Sequence, residues 1–167
     1  MNGKPSSPTC YGAEADDVYM GYACRDEILT ALNELLEAER AGAKVALASR
    51  GESAKGGAYA RLMGAVRADE ARWCAMLSRQ IERLEGRPSR RTGTFQEKAL
   101  AIPDLLERLA FLNRGQAWVV RKLEELLPRV RDDALHGDLR EMLASHRENI
   151  ARAQALLDSA AGNAAKA

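Results

Sequence analysis

The chain has 167 residues, 25 basic and 24 acidic side chains for a net charge of +1, and a composition that is 46% hydrophobic but only 5% aromatic. That length suits one domain with a full core, and the near balance of charge gives no pull toward nucleic acid or a membrane surface. The abundance of alanine and leucine over β-branched and aromatic residues excludes a strand-rich fold and predicts an all-α one.

Residues 1–25, rich in Gly, Pro, Ser and Asp, lack periodicity and an apolar leader segment, and read as a flexible N-terminal arm. From Asp26 helical spacing sets in, with Ile28, Leu32, Leu35, Leu36, Ala43 and Ala46 on one face until "SRGES". A second helix is predicted from Ala58 to Glu85 through Leu62, Val66, Leu77, Ile81 and Leu84, closed by "EGRP". A longer connection, "GRPSRRTGTF", follows, with a short helical turn expected at "QEKAL". The third helix is predicted to begin at Pro103–Asp104 and to run through Leu105, Leu109, Leu112, Val119, Leu123 and Leu127 to Pro128. Asp132 or Asp133 caps a fourth, with Leu135, Leu139, Leu143, Ile150, Ala153 and Leu157 as its stripe. Residues 26–160 thus read as an antiparallel four-helix bundle with a central crossover, that connection being the longest, and 161–167 as a frayed tail. No run approaches the roughly 18 apolar residues that a membrane span requires.

Each apolar stripe is interrupted near its midpoint. Glu39 lies between Leu36 and Ala43, Glu70 between Val66 and Trp73, Gln116 between Leu112 and Val119, and His146 between Leu143 and Ile150, with Asn149 close by. Midpoints coincide in an antiparallel bundle whichever way each helix runs, so the four polar groups are expected in one core layer. A buried, unpaired carboxylate costs several kcal/mol, and pairing, protonation or metal coordination relieves it. Two carboxylates, an amide and an imidazole at one depth can satisfy one another or hold a cation.

"LNELLEAERAGAK" resembles the first helix of the ferritin-like, rubrerythrin-related proteins, and "DEARWCAMLSRQIERLEGRPS" resembles their second. "FLNRGQAWVVRKLEELL" and "LREMLASHRENIARAQALL" are similar to the third and fourth, so the resemblance spans about residues 26–158. It implies a di-iron centre built from one Glu on each of two helices and a Glu-x-x-His pair on each of the others. Glu39 and Glu70 match that pattern. Trp73 replaces a His, Gln116 replaces a Glu, and His146 with Asn149 replaces a Glu-x-x-His pair. Two carboxylates cannot neutralise the four positive charges of two ferrous ions in a core of low dielectric. A metal-free hydrogen-bonded layer is therefore expected, in which Trp73 donates to a carboxylate and His146 pairs with Glu39 or Glu70. The alternative keeps a single Fe, Mn or Zn ion on Glu39, Glu70 and His146.

The resemblance implies a non-catalytic binding or stress-related accessory protein with a degenerate metal site, against a metal-binding oxidoreductase or metal-handling protein as the other reading. Cys10, Cys24 and Cys74 have no disulfide-framework or metal-ligand spacing, which predicts reduced thiols and a cytoplasmic location. Trp118 and Phe111, off the main stripe, are expected under the crossover or against a second copy. A homodimer is the expected assembly, with neither nucleic acid nor membrane as a partner.

Overall fold

The structure, a computed structural model, describes residues 20–164, whose regular secondary structure is all helical, with no strand. Five α-helices follow in chain order: α1 (Arg25–Glu52), α2 (Ala58–Arg83), α3 (Phe95–Leu100), α4 (Leu105–Leu126) and α5 (Asp133–Ala164). Side chains acting on free backbone groups set their limits. Glu27 reaches back from α1 to accept the Cys24 N–H, Asp104 accepts the N–H groups of Leu106 and Glu107, and Asp132 accepts that of Leu135. Helix α4 therefore starts two residues later than Pro103 suggests, because Asp104 is its cap. At the end of α2 the left-handed position falls on Glu85 (φ 56°) rather than on a glycine, and the Gly86 N–H returns to the Ile81 carbonyl at 2.8 Å. Gly86 is needed for space, since a Cβ there would stand 2.5 Å from Leu29 Cδ2.

The four long helices surround one core. Helix α1 packs on α2 and α4, and α5 packs on α4 and α2, while no backbone contact joins α1 to α5 or α2 to α4. Those two pairs are diagonals. Neighbours run antiparallel: Arg83 and Asp69 of α2 meet Asp132 before α5 and Asn149 within it, and Glu34 and Glu52 of α1 meet Lys122 and Arg108 of α4. The end of α2 and the start of α4 consequently lie at opposite ends of the molecule. Residues 84–104 cover that distance along α1, with Ser89 bonded to Asn33 and Glu37 and Arg91 to Glu37. They then place Phe95 of α3 on Phe111 of α4, ring centroids 5.0 Å apart.

Two apolar clusters fill the interior. Leu32, Leu36, Leu77, Leu123 and Leu139 belong to one, and Val45, Met63, Val66, Leu109 and Leu112 to the other. Burying a side chain of this kind stabilises the fold by about 1.5–3 kcal/mol, so ten of them dominate the folding energy and leave the layer between them free to be polar. Two of the expected boundaries move. Most of the N-terminal arm lies outside the described residues, but its last part is packed: Ala23 is buried and donates its N–H to the Arg129 carbonyl at 2.9 Å. At the other end α5 continues to Ala164, so most of the expected frayed tail is helix, and residues 165–167 lie outside the described residues.

Candidate functional site

Glu39, Glu70, Gln116 and His146 are each 4% exposed or less, and each stands on a different long helix. His146 Nδ1 lies 3.1 Å from the Met142 carbonyl and Nε2 lies 3.0 Å from Glu39 Oε1. A carbonyl only accepts, so Nδ1 carries a proton. Burial works against charging the ring, but the Glu39 charge, the hydrogen bond to Glu39 and the Met142 carbonyl outweigh it and raise the His146 pKa. The arrangement favours the imidazolium form of the ring, which donates Nε2–H to the Glu39 carboxylate.

The other diagonal is also bridged. Gln116 donates Nε2–H to Glu70 Oε1 at 3.1 Å. Burial, and after it the Glu39 charge, push the Glu70 carboxyl well above the usual carboxylate range, which favours the protonated acid there. The Glu70 carboxyl lies on the backbone of α1 at Gly42, where a Cβ would come within 2.4 Å of Oε2 and 2.5 Å of Oε1. Only glycine admits it there.

Two expected partners differ. The Trp73 indole N–H reaches Ser145 Oγ at 3.3 Å instead of a carboxylate, and its ring packs below the layer in the first apolar cluster, with the Arg72 guanidinium 4.3 Å from the ring centre. Asn149 donates to Asp69 at 3.0 Å, beside Glu70 in the chain, and its own Oδ1 is buried without a partner. Cys74 is inert by environment: burial, followed by the Glu39 charge, pushes its thiol up to about 12.

Three buried oxygens of the layer have no hydrogen-bond partner: Glu39 Oε2, Glu70 Oε2 and Gln116 Oε1. Their residues, with His146, form the deep end of a cavity of about 520 Å³ that opens between α1 and α4 under the connecting segment. Phe95, Phe111, Trp118, Leu112 and Val119 supply apolar walls. Gly115 makes room for Phe95, since a Cβ there would stand 2.6 Å from its ring. This cavity is what reasoning from the sequence missed. The available signal was that the only two phenylalanines lie one in the connection and one off the α4 stripe.

The donor set does not fit a dinuclear metal centre. The layer offers two carboxylates and one imidazole, with the Gln116 amide on the remaining helix, where four carboxylates would be needed to balance two ferrous ions. Glu39, Glu70 and His146 do share the layer. For them to bind one ion, His146 Nε2 would have to leave Glu39 and Glu70 would have to lose its proton.

Residues 26–155 match the model of a domain of unknown function, DUF6306, and with most of its length matched the chain belongs to that family. No curated protein and no solved structure matches it.

Proposed function

We propose that this member of the DUF6306 family is a ferritin-like four-helix bundle whose metal centre has become a hydrogen-bonded layer, and that it binds a small molecule beside that layer without catalysing its conversion. The observation that carries this reading is the set of three unpartnered buried oxygens at the deep end of a 520 Å³ cavity. Buried polar groups are almost always partnered, so three at one place, beneath the aromatic and aliphatic walls of Phe95, Phe111, Leu112 and Val119, mark a position for a ligand. The ferritin-like part draws support from the diagonal placement of α2 and α4 and the length of the segment joining them.

A second reading, a single Fe, Mn or Zn ion for oxidoreductase or metal-handling work, is favoured by the free Oε2 atoms of Glu39 and Glu70. Metal analysis separates the two. Protein purified from iron- and manganese-supplemented medium should hold far less than one ion per chain, with no change in a Glu39→Ala, Glu70→Ala variant. One ion per chain that disappears in that variant would replace the first reading with the second. Binding itself is checked with the neutral dye Nile red, whose fluorescence should rise with the native chain and not with Ala38→Trp, which places an indole in the cavity wall.

A further inference from the structure

Charge at the mouth of the cavity is one-sided. Glu34 and Glu37 on α1 and Arg114 and Arg121 on α4 line it. Both carboxylates are occupied, Glu34 by Lys122 at 3.1 Å and Glu37 by Arg91 at 3.1 Å and the Ser89 hydroxyl. The two guanidiniums are not. Arg114 lies against the Phe111 ring, 5.3 Å from its centre, and among the described residues neither Arg114 nor Arg121 has a carboxylate partner. Seven residues separate them, which is two turns of one helix and about 10 Å along one face, so their long, forked side chains can converge on one oxyanion. Both are exposed and carry uncompensated positive charge at the entrance.

The deep end is different. Glu39 is paired with His146 and the Gln116 amide nitrogen is spent on Glu70, which leaves the three free oxygens and no uncompensated charge to select an ion. A hydroxyl suits that place, because it both donates and accepts. We propose that the ligand is an amphipathic oxyanion: a carboxylate or phosphate head at Arg114 and Arg121, an apolar body along Phe95, Phe111 and Trp118, and a hydroxyl at its far end in the polar layer. Hydrogen bonds between ionised partners are the stronger kind, and a cationic head would instead meet two like charges. A body without a polar far end would leave the layer's oxygens unsatisfied, and leaving a buried polar group unpaired is costly. This inference rests on the binding reading above.

Calorimetric titration of the full-length chain with decanoate, decyl phosphate, decanol, decylamine and 10-hydroxydecanoate tests it, because all share a body and differ at its ends. Decanoate or decyl phosphate should bind one per chain and about fivefold tighter than decanol, as a good exposed ion pair implies, with decylamine weakest. The tighter of the two anions names the head. That preference should shrink in high salt, and 10-hydroxydecanoate should bind about threefold or more tighter than decanoate for its added hydrogen bond. Arg114→Gln combined with Arg121→Gln should bring both anions close to decanol while decanol is unaffected. Ala38→Trp should abolish binding of all five. Circular dichroism confirms that each variant is folded, and should Ala38→Trp fail to fold, displacement of Nile red by decanoate from the native chain serves in its place. Equal affinity for decanoate, decyl phosphate and decylamine, or no effect of the double arginine variant, would overturn the oxyanion and leave the cavity reading intact. No binding by any of the five, together with no effect of Ala38→Trp on Nile red, would overturn the cavity reading itself. Binding of ferrous, manganous or zinc ion alone, dependent on Glu39 and Glu70, with none of the anions would overturn both.

Discussion

His146 and Glu39 meet at 3.0 Å although their helices, α5 and α1, share no backbone contact. The bond spans one diagonal of the helix assembly, and Gln116 to Glu70 spans the other. Each of the four long helices is thereby tied by a side chain to the one its backbone does not approach, at a depth where the apolar packing is interrupted.

His146→Ala removes the cation from a buried ion pair and leaves the Glu39 carboxylate without its partner. Breaking a buried pair from one side costs about 3–5 kcal/mol, so urea unfolding monitored by circular dichroism should show a loss of that order with no metal present. Glu39→Gln, which keeps a hydrogen-bonding group of the same shape, should cost less. A loss below about half a kcal/mol for His146→Ala, well under what one buried hydrogen bond is worth, would sink the ion-pair assignment.

Gly42→Ala reverses an ordinary sign. Glycine inside a helix costs about 0.5–1 kcal/mol relative to alanine, so the exchange should stabilise α1 if the side chain had space. Here the new Cβ would overlap the Glu70 carboxyl at 2.4–2.6 Å, and overpacking of that kind costs about 1–3 kcal/mol. Destabilisation by Gly42→Ala, largely relieved when Glu70→Ala is added, is the expected result of a double-mutant cycle in chemical denaturation. Equal destabilisation in both backgrounds would mean that Glu70 is not the obstacle.

The layer was legible before the structure because an antiparallel assembly aligns the midpoints of its helices, so polar residues at similar depth in four apolar stripes had to meet. Which residue bonds which was not legible. Glu39 and Glu70 look alike in sequence, and only the diagonal arrangement gives the imidazole to one and the amide to the other. Trp73 is expected to donate to a carboxylate and Asn149 to lie beside His146, yet the directions of their side chains give them Ser145 and Asp69 as partners. The cavity was hidden for another reason. Its wall depends on where a segment without hydrophobic periodicity lays Phe95, and that is decided by contacts with Asn33, Glu37 and Phe111 far away in the chain.

Phe95→Ala should act on the cavity more than on the fold. Phe95 is half-buried, and losing its stacked contact with Phe111 should lower stability by about 0.5–1.5 kcal/mol beyond the area it buries. Gly86→Ala, where a Cβ meets Leu29 and Ile81, strains the same connecting segment at its other end. Both variants should unfold at lower urea concentration, but only Phe95→Ala should weaken Nile red binding. Equal loss of dye in both would mean that the segment acts as a whole and that Phe95 has no special part in the wall.

Stability should fall as pH rises from mildly acidic to mildly alkaline, the reverse of what salt-bridged carboxylates produce. Burial, then the Glu39 charge, raise the Glu70 pKa. The folded state thus binds a proton that the unfolded chain has released, and stability declines from about pH 4.5 up to the folded value. His146 acts with the same sign. Its pKa is raised because the Glu39 charge and the hydrogen bonds overcome burial, so its contribution is complete below about pH 6.5 and is lost as pH climbs through the raised folded value. On the acid side Asp132, lowered by the Arg83 and Leu135 hydrogen bonds, and Glu27, lowered by the Cys24 N–H and Arg129, contribute above their unfolded values and lose that contribution as pH falls. The maximum should therefore lie at about pH 4.5, where the lowered carboxylates are ionised and Glu70 has not begun to lose its contribution. Urea titrations at pH 4 to 9 would show it, with a limiting slope of about 1.4 kcal/mol per pH unit for each proton involved. Glu70→Gln should flatten the decline above pH 4.5, since its amide has no proton to lose. Native stability that climbs steadily from pH 5 to 8 would contradict the protonated Glu70 and the charged His146 alike.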